Sequence, residues 1–399
     1  MTSLVITNIG SLITNASGVP GDLGIVDHAA LAIDGERIAW VGPESDLPDE
    51  HRDAPGLDAA GRAALPGFVD AHTHLVFGGD RSEEFARRLR GESYEDTLAA
   101  GGGIHSTVAA TREASIETLT DGAAARLQRM AGAGTTTAEV KSGYGLRTAD
   151  ERKILEAATE AGRLSRVDVV PTFLGAHVPE RGVDRAEYVD RVVEEMLPEC
   201  ASLARWCDVF CDRGAFTVDD GRRILESARA HGLGLRLHAE QIAHTGAAAL
   251  AAEMGAGSAD HLDHVTAEDA AALREAGVVA TLLPAASFSM RSPQAPGRML
   301  WDSGVTVALA TDCNPGTSNV ESMPLVIALA CLEMGLTPEE AVWAATLGGA
   351  RSLRLDDRGA AVPGALADLA ILEAPSYLHI PYRPGTDLMW RVMKRGEWM

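Results

Sequence analysis

A chain of 399 residues, 46% apolar and 23% charged, is long enough to bury a large core, and it exceeds the ~250 residues of a (β/α)8 barrel by enough to leave a second, smaller unit. Its formal charge of −22, with no basic cluster set against it, argues against nucleic acid and anionic membranes as partners. The five cysteines, Cys200, Cys207, Cys211, Cys313 and Cys331, are odd in number and form no CxxC pair, which disfavours a disulfide framework and fits a reducing cytoplasm.

The N-terminal MTSLVITNIGSLITNA has no basic region before its apolar residues and reads as strand rather than signal peptide. No run approaches the ~18 uninterrupted apolar residues of a membrane span. Short β segments fill the first sixty or so residues, and ALAIDGERIAWVGP, with Asp34-Gly35 between two apolar stretches, predicts a hairpin.

The character changes at LPGFVDAHTHLVFGGDR, residues 65–81. An apolar segment behind a Pro66-Gly67 turn ends in His72 and His74. Alternate side chains of a strand share a face, so the two imidazoles can converge on one point, as two ligands of one metal ion would. The bland alternative has one ring packed and the other solvated.

Beyond this point short apolar strands (VVPTFLGAHV, LGLRLHAE, VVATLLP, VTVALATD) alternate with Ala-, Glu- and Arg-rich helical stretches. That alternation predicts βα units and a parallel sheet. Many strands end in a polar residue: His72 and His74, Lys141, His177, His238, His261 and Asp312. An open sheet gathers ligands at one switch point, whereas a barrel turns every strand's C-terminal end toward one mouth, so the pattern favours the barrel. AGGGIHS, after a helical stretch, is no nucleotide fingerprint. GAAVPGALADLAILEAP then returns to turn-plus-strand grammar. The expected architecture is an α/β (β/α)8 TIM-like barrel over 65–360 with a small β-sandwich domain built from both chain ends, 1–64 plus 361–399, in which residues near Ile33 and Leu369 share a sheet.

A catalytic metal needs three or four convergent N or O ligands and an open position for water. His72 and His74 supply two, and His238 and Asp312, each after an apolar strand, would supply the rest. Lys141, in TTTAEVKSGYG, has two readings: a carboxylated lysine bridging two metals, or a structural lysine before a Gly-Tyr-Gly loop. Cys207 and Cys211, in WCDVFCD, read as half-buried packing thiols rather than a thiolate metal site.

In order along the chain, PGFVDAHTHLVFGGDR, EVKSGYGL, FLGAHVPE, SADHLDH and ATDCNPGT resemble the signature segments of the imidazolonepropionases, amidohydrolase-superfamily enzymes of histidine degradation. The resemblance spans nearly the whole chain. It implies one zinc(II) or ferric ion per chain held by His72, His74, His238 and Asp312, with Asp312 and His261 catalytic. It also implies substrate contacts from Arg81, Tyr144, His177, Gln241, Asn314, Gly316 and Thr317. On that reading His177 serves the substrate rather than a second metal, and Lys141 need not be carboxylated.

The implied substrate is a small molecule with a carboxylate tail, 4-imidazolone-5-propionate, opened to N-formimidoyl-L-glutamate by metal-activated water. Asp312 would pass the water's proton to the departing ring nitrogen, and His261 would polarise the carbonyl or share the proton transfer. The planar fork of Arg81 suits the carboxylate. A cytoplasmic homodimer is implied as well. One position departs from many relatives, which carry glutamate three residues after the third histidine: here it is Gln241, which can orient a ring but cannot act as a base.

Bland readings stand beside these. Arg81 pairs with Glu83 or Glu84, Tyr144 anchors a loop, Asn314-Pro315-Gly316 is a turn, His264 is structural, and His105, in a loop near the mouth, has no role. Competing functions are deamination of another nitrogen heterocycle on the same metal site and a barrel scaffold without chemistry.

Overall fold

The computed structural model describes residues 4–91 and 102–399; Ala100 and Gly101 of the glycine cluster lie outside them. The chain opens with β1 (Leu4–Leu12), β2 (Val26–Asp34), β3 (Arg37–Pro43), β4 (Gly56–Asp58) and β5 (Ala63–Pro66). Eight further strands follow: β6 (Phe68–Asp70), β7 (Thr135–Lys141), β8 (Asp168–Ala176), β9 (Trp206–Cys211), β10 (Gly234–Ala239), β11 (Ser258–His261), β12 (Val279–Leu282) and β13 (Val307–Leu309). The chain closes with β14 (Leu369–Leu372), β15 (Met389–Lys394) and β16 (Glu397–Trp398).

β6 to β13 form one parallel sheet in chain order. Its two ends meet just past the strand ends, where Thr73 bridges Cys313, the Asp312 N–H donates to the His72 carbonyl (3.0 Å) and the His74 N–H to the Cys313 carbonyl (2.9 Å). Buried Asp70 reinforces this closure by accepting from the N–H (3.0 Å) and hydroxyl (2.6 Å) of Thr311. The intervening helices carry the expected stop-start chemistry. Val218–Ala230 and Ala267–Ala276 each begin with a capping box, from Thr217 with Asp220 and from Thr266 with Asp269, and the second ends at Gly277 in the left-handed conformation.

The remaining strands form a single mixed sheet in the order β16-β15-β14-β5-β1-β2-β3, with β4 on β1. Ile33 and Leu369 do share it, joined through β1 and β5. The sheet curls so that Ile6, Leu31 and Ile33 from one half and Leu369, Ile371 and Met393 from the other enclose one apolar core, which gives the unit its sandwich character. β5 carries this sheet to Pro66, and Gly67 alone separates it from the first barrel strand. The Asp34-Gly35 hairpin forms as expected, Asp34 pairing Arg37 across a Gly35 of φ 57°.

Barrel strands are buried on both faces, and the two faces differ. In β7, Ala138 and Val140 join the large apolar core under the helices, whereas Glu139 and Lys141 meet charged residues of β9, β10 and β11. Contacts between strands that are not neighbours in the sheet place these groups inside the barrel. The small sheet docks at the opposite end from the closure residues: Asp168, the first residue of β8, accepts from Arg358 (2.7 Å), Lys394 (2.9 Å) and Arg395 (2.9 Å).

Candidate active site

Strand periodicity delivers the histidines. His72 and His74 continue the extended path of β6, His238 is the penultimate residue of β10, and their Nε2 atoms meet at one point. His74 Nε2 lies 3.2 Å from His72 Nε2 and 3.3 Å from His238 Nε2, and Asp312 Oδ1 lies 3.6 Å from the Nε2 atoms of both His72 and His74. Among the described residues, His72, His74 and His238 form a buried cluster whose ligand atoms all lie within 4.8 Å of one another.

The outer ring nitrogens explain why this arrangement asks for a cation. His72 Nδ1 is 2.7 Å from Asp260 Oδ2, and His238 Nδ1 is 3.0 Å from Asp208 Oδ2. A carboxylate at Nδ1 draws the ring proton there and leaves Nε2 as a bare lone pair. Both lone pairs face His74 Nε2, whose own Nδ1 is buried without a partner among the described residues, and a cation between the three rings would serve as their common partner. The spacings also match two ligands of one ion with metal–nitrogen bonds of ~2.0–2.1 Å, so the residues present fit a metal.

Electrostatics favour the same state. Burial pushes the protonation of His72, His74 and His261 well below the ordinary histidine range, and that of His177 down to about 3, so all four rings are neutral. Burial also pushes the Asp312 carboxyl well above the usual range, a penalty that a neighbouring cation reverses. Asp208 goes the other way. Burial opposes its charge, but His238 and the Lys141 ammonium hold it well below the usual range.

Backbone strain gathers at the same place: Glu240, His261, Leu262 and Asp312 all have positive φ, from 52° to 76°. Side chains that rarely adopt this conformation do so at strand ends facing the cluster, as functional sites often require.

The other expected residues divide into two groups. His177 stacks on His74 (ring centroids 5.0 Å apart, 20° between planes), with Tyr144 beside both, and His177 Nδ1 lies 3.1 Å from the Gly143 carbonyl. His261 lies 5.5 Å from His72 and 5.3 Å from His238, ring to ring, and its Nδ1 is buried without a hydrogen-bond partner among the described residues.

Asn314, by contrast, spends its polar atoms on its own turn. Its Oδ1 accepts the N–H groups of Gly316 and Thr317 (both 2.8 Å), and its Nδ2 donates to the Asp312 carbonyl (2.6 Å) and to Thr317 Oγ1 (2.9 Å). Thr317 Oγ1 in turn reaches Asp312 Oδ2 at 3.4 Å. Arg81 packs on that turn, its Nη1 where a Cβ on Gly316 would fall, and Glu84 engages it bidentately, Nε to Oε2 at 3.1 Å and Nη2 to Oε1. His264 is exposed. His105 sits in the first turn of the helix Ile104–Glu113 rather than in a loop, and Cys207 and Cys211 are fully buried rather than half-buried.

Residues 63–398 match the model of the amidohydrolase family, and residues 29–54 match an imidazolonepropionase-like composite domain of bacteria. The imidazolonepropionase of Streptomyces coelicolor is 50% identical over 399 residues, covering 99% of this chain and 98% of that protein. That of Salinispora arenicola is 51% identical over 404 residues, covering 99% and 98%. The chain belongs to the imidazolonepropionase family. Solved structures at 19–20% identity support the imidazolonepropionase fold alone: a zinc-bound adenosine deaminase of Xanthomonas campestris (TM-score 0.77, covering 100% of this chain and 92% of that one) and the atrazine chlorohydrolase of Arthrobacter aurescens complexed with zinc (0.76, covering 99% and 94%).

In this imidazolonepropionase-family chain the residue three beyond His238 is Gln241, whose N–H donates to Asp212 Oδ2 at 2.8 Å. Neighbouring Glu240 cannot stand in for a glutamate there. Its carboxylate accepts the N–H groups of Thr245, Gly246 (3.0 Å) and Ala248 (3.0 Å) around the start of the helix Ala247–Glu253.

Four buried charges behind the histidine cluster escaped the sequence reading: Glu139, Asp208, Arg236 and Asp260. Two carried a legible signal. Glu139 and Arg236 stand two positions before Lys141 and His238, which on a strand is the same face.

Proposed function

We propose that this protein hydrolyses the ring amide C–N bond of 4-imidazolone-5-propionate to N-formimidoyl-L-glutamate in histidine catabolism, using one zinc(II) or ferric ion held by His72, His74, His238 and Asp312. One observation carries the reading: the Nε2 atoms of three buried histidines and a buried carboxylate converge at the mouth of a barrel whose sequence matches the family from end to end. Bound there, the ion supplies Lewis-acid polarisation of water and carbonyl.

The chain's own residues supply the rest. Asp312, with Thr317 at its second oxygen, accepts the proton of the attacking water and delivers it to the departing ring nitrogen. His261 presents an uncommitted Nδ1 to the carbonyl or to the proton in transit. Tyr144 and His177 wall the ring against His74. Arg81 offers the propionate two parallel N–H donors, with Asn314, Gly316 and Thr317 shaping the turn beneath it. Gln241 contributes an amide to the substrate and no base.

Among the described residues no helix is long and apolar enough to cross a membrane. A cytoplasmic homodimer follows from the family resemblance, and solution mass across a concentration series tests the dimer.

The decisive experiment mixes fresh 4-imidazolone-5-propionate with zinc-loaded protein and follows its ultraviolet absorbance against a chelated control. Metal-dependent loss above the spontaneous background, yielding N-formimidoyl-L-glutamate, is the expected result. No acceleration by protein shown to carry its metal would reject the reading in favour of heterocycle deamination.

A further inference from the structure

Glu139, Lys141, Asp208, Arg236 and Asp260 have no exposed surface, and they fill the barrel directly behind the three histidines. Buried charges are costly unless paired and hydrogen-bonded. Here three carboxylates stand against two cations.

Each carboxylate grips a segment that carries a cluster histidine. Asp260 Oδ2 lies 2.7 Å from His72 Nδ1 and 3.2 Å from Arg236 Nη2, while its other oxygen accepts the Ser258 hydroxyl at 2.5 Å. Asp208 holds His238 twice, through the backbone N–H (Oδ1, 3.1 Å) and beside ring Nδ1 (Oδ2, 3.0 Å). Glu139 Oε2 accepts the N–H of Thr73, between His72 and His74, at 3.3 Å. Lys141 joins all three: its Nζ lies 2.8 Å from Glu139, 2.6 Å from Asp208 and 3.6 Å from Asp260.

We infer that Lys141 is the hub of a buried clamp in which Glu139, Asp208 and Asp260 are positioning residues, aligning the three Nε2 atoms for the metal, and that Lys141 works as an ammonium rather than as a carboxylated bridging ligand. Carboxylation would turn the hub's positive charge negative among three carboxylates that now depend on it, and the clamp would lose its centre. A carboxylate on the outer ring nitrogen sets both tautomer and ring orientation, and the loss of such a contact typically weakens metal binding 10–100-fold.

The inference rests on the proposed metal centre, and zinc affinity of the full-length protein, measured by competition with a chromophoric chelator, tests the two separately. Asp260→Asn is expected to weaken zinc binding about 10–100-fold. Once saturated with zinc, it is expected to keep KM within about twofold while kcat falls. Affinity within twofold of wild type in a folded Asp260→Asn protein overturns the clamp while leaving the function intact. Wild-type protein that neither binds zinc nor turns over substrate overturns both.

Should Asp260→Asn not fold, Ser258→Ala removes a single hydrogen bond from the same carboxylate. Several-fold weaker zinc binding, restored by Ser258→Thr, is expected; a lowered melting temperature with unchanged affinity overturns the clamp. Carbon-13 bicarbonate added to the zinc-loaded enzyme tests the hub itself. One zinc per chain and no carbamate resonance are expected, and a carbamate signal accompanied by a second zinc equivalent overturns the assignment of Lys141.

Discussion

Two ionic clusters hold this molecule together, one behind the histidines and one at the seam between barrel base and small sheet, and they differ in how far water reaches them. At the seam Asp168 gathers Arg358, Lys394 and Arg395, which also pair with Asp357, Asp368 and Glu36, and Asp168 keeps 27% of its side-chain surface exposed. Behind the histidines the side chains are wholly buried, and carboxylates outnumber cations. The seam is a stability device whose charges remain partly hydrated. The interior cluster carries its charges dry, directly beside the buried His72, His74 and His238 cluster.

The largest effect that separates the two is expected at Asp312. Asp312→Asn removes the proposed proton carrier and should lower kcat by about 10²–10⁴-fold, while chemical denaturation shows a seam as firm as in wild type. A kcat within tenfold of wild type would remove Asp312 from the chemistry.

Asp168→Asn should do the reverse. Breaking a fully buried pair costs ~3–5 kcal/mol, and partial hydration reduces this to on the order of 2 kcal/mol, with kcat and KM of the zinc-loaded enzyme within twofold. Its pH dependence follows from charge. Burial opposes ionisation of Asp168, but Lys394, Arg358 and Arg395 outweigh it and hold the carboxyl at about 2 against an ordinary 3.8. The stabilisation is therefore complete above the unfolded value and is lost as pH falls from about 4 through 2. Denaturation midpoints should converge between wild type and Asp168→Asn across that window, and parallel curves would count against the seam assignment.

Arg81 tests the mouth rather than either cluster. Losing a charge-assisted bidentate contact, worth about 1.5–3 kcal/mol, should raise KM of Arg81→Ala about 10–100-fold without changing zinc content. Steady-state kinetics with an unchanged KM would assign Arg81 to Glu84 alone. The smallest effect is expected at Gly316, where a Cβ would stand 2.5 Å from Arg81 Nη1. Gly316→Ala should displace the guanidinium and raise KM a few-fold, leaving both ionic clusters and the melting temperature as they are. A KM equal to wild type would show that the guanidinium yields at no cost.

Legibility in the sequence followed the range of the interaction. His72 and His74 announce themselves because strand periodicity is local, and the alternation of apolar strands with helical stretches announced the barrel. The Arg81–Glu84 pair, three residues apart at a helix start, was legible for the same reason, though not its precedence over Glu83. The clamp was not: Lys141 and Asp208 are 67 residues apart, and a charge inside an apolar strand reads alike whether it faces a partner, a metal or solvent at an edge.

The sequence by itself determined which residues stand at strand ends and which face they share, since φ/ψ periodicity needs no distant partner. Only the tertiary structure decided that Lys141 meets carboxylates, that Asn314 is consumed by its own turn, and that Glu240 caps a helix. Each of those outcomes depends on which buried polar group finds a partner once the barrel closes, and closure brings together strands that no local rule connects.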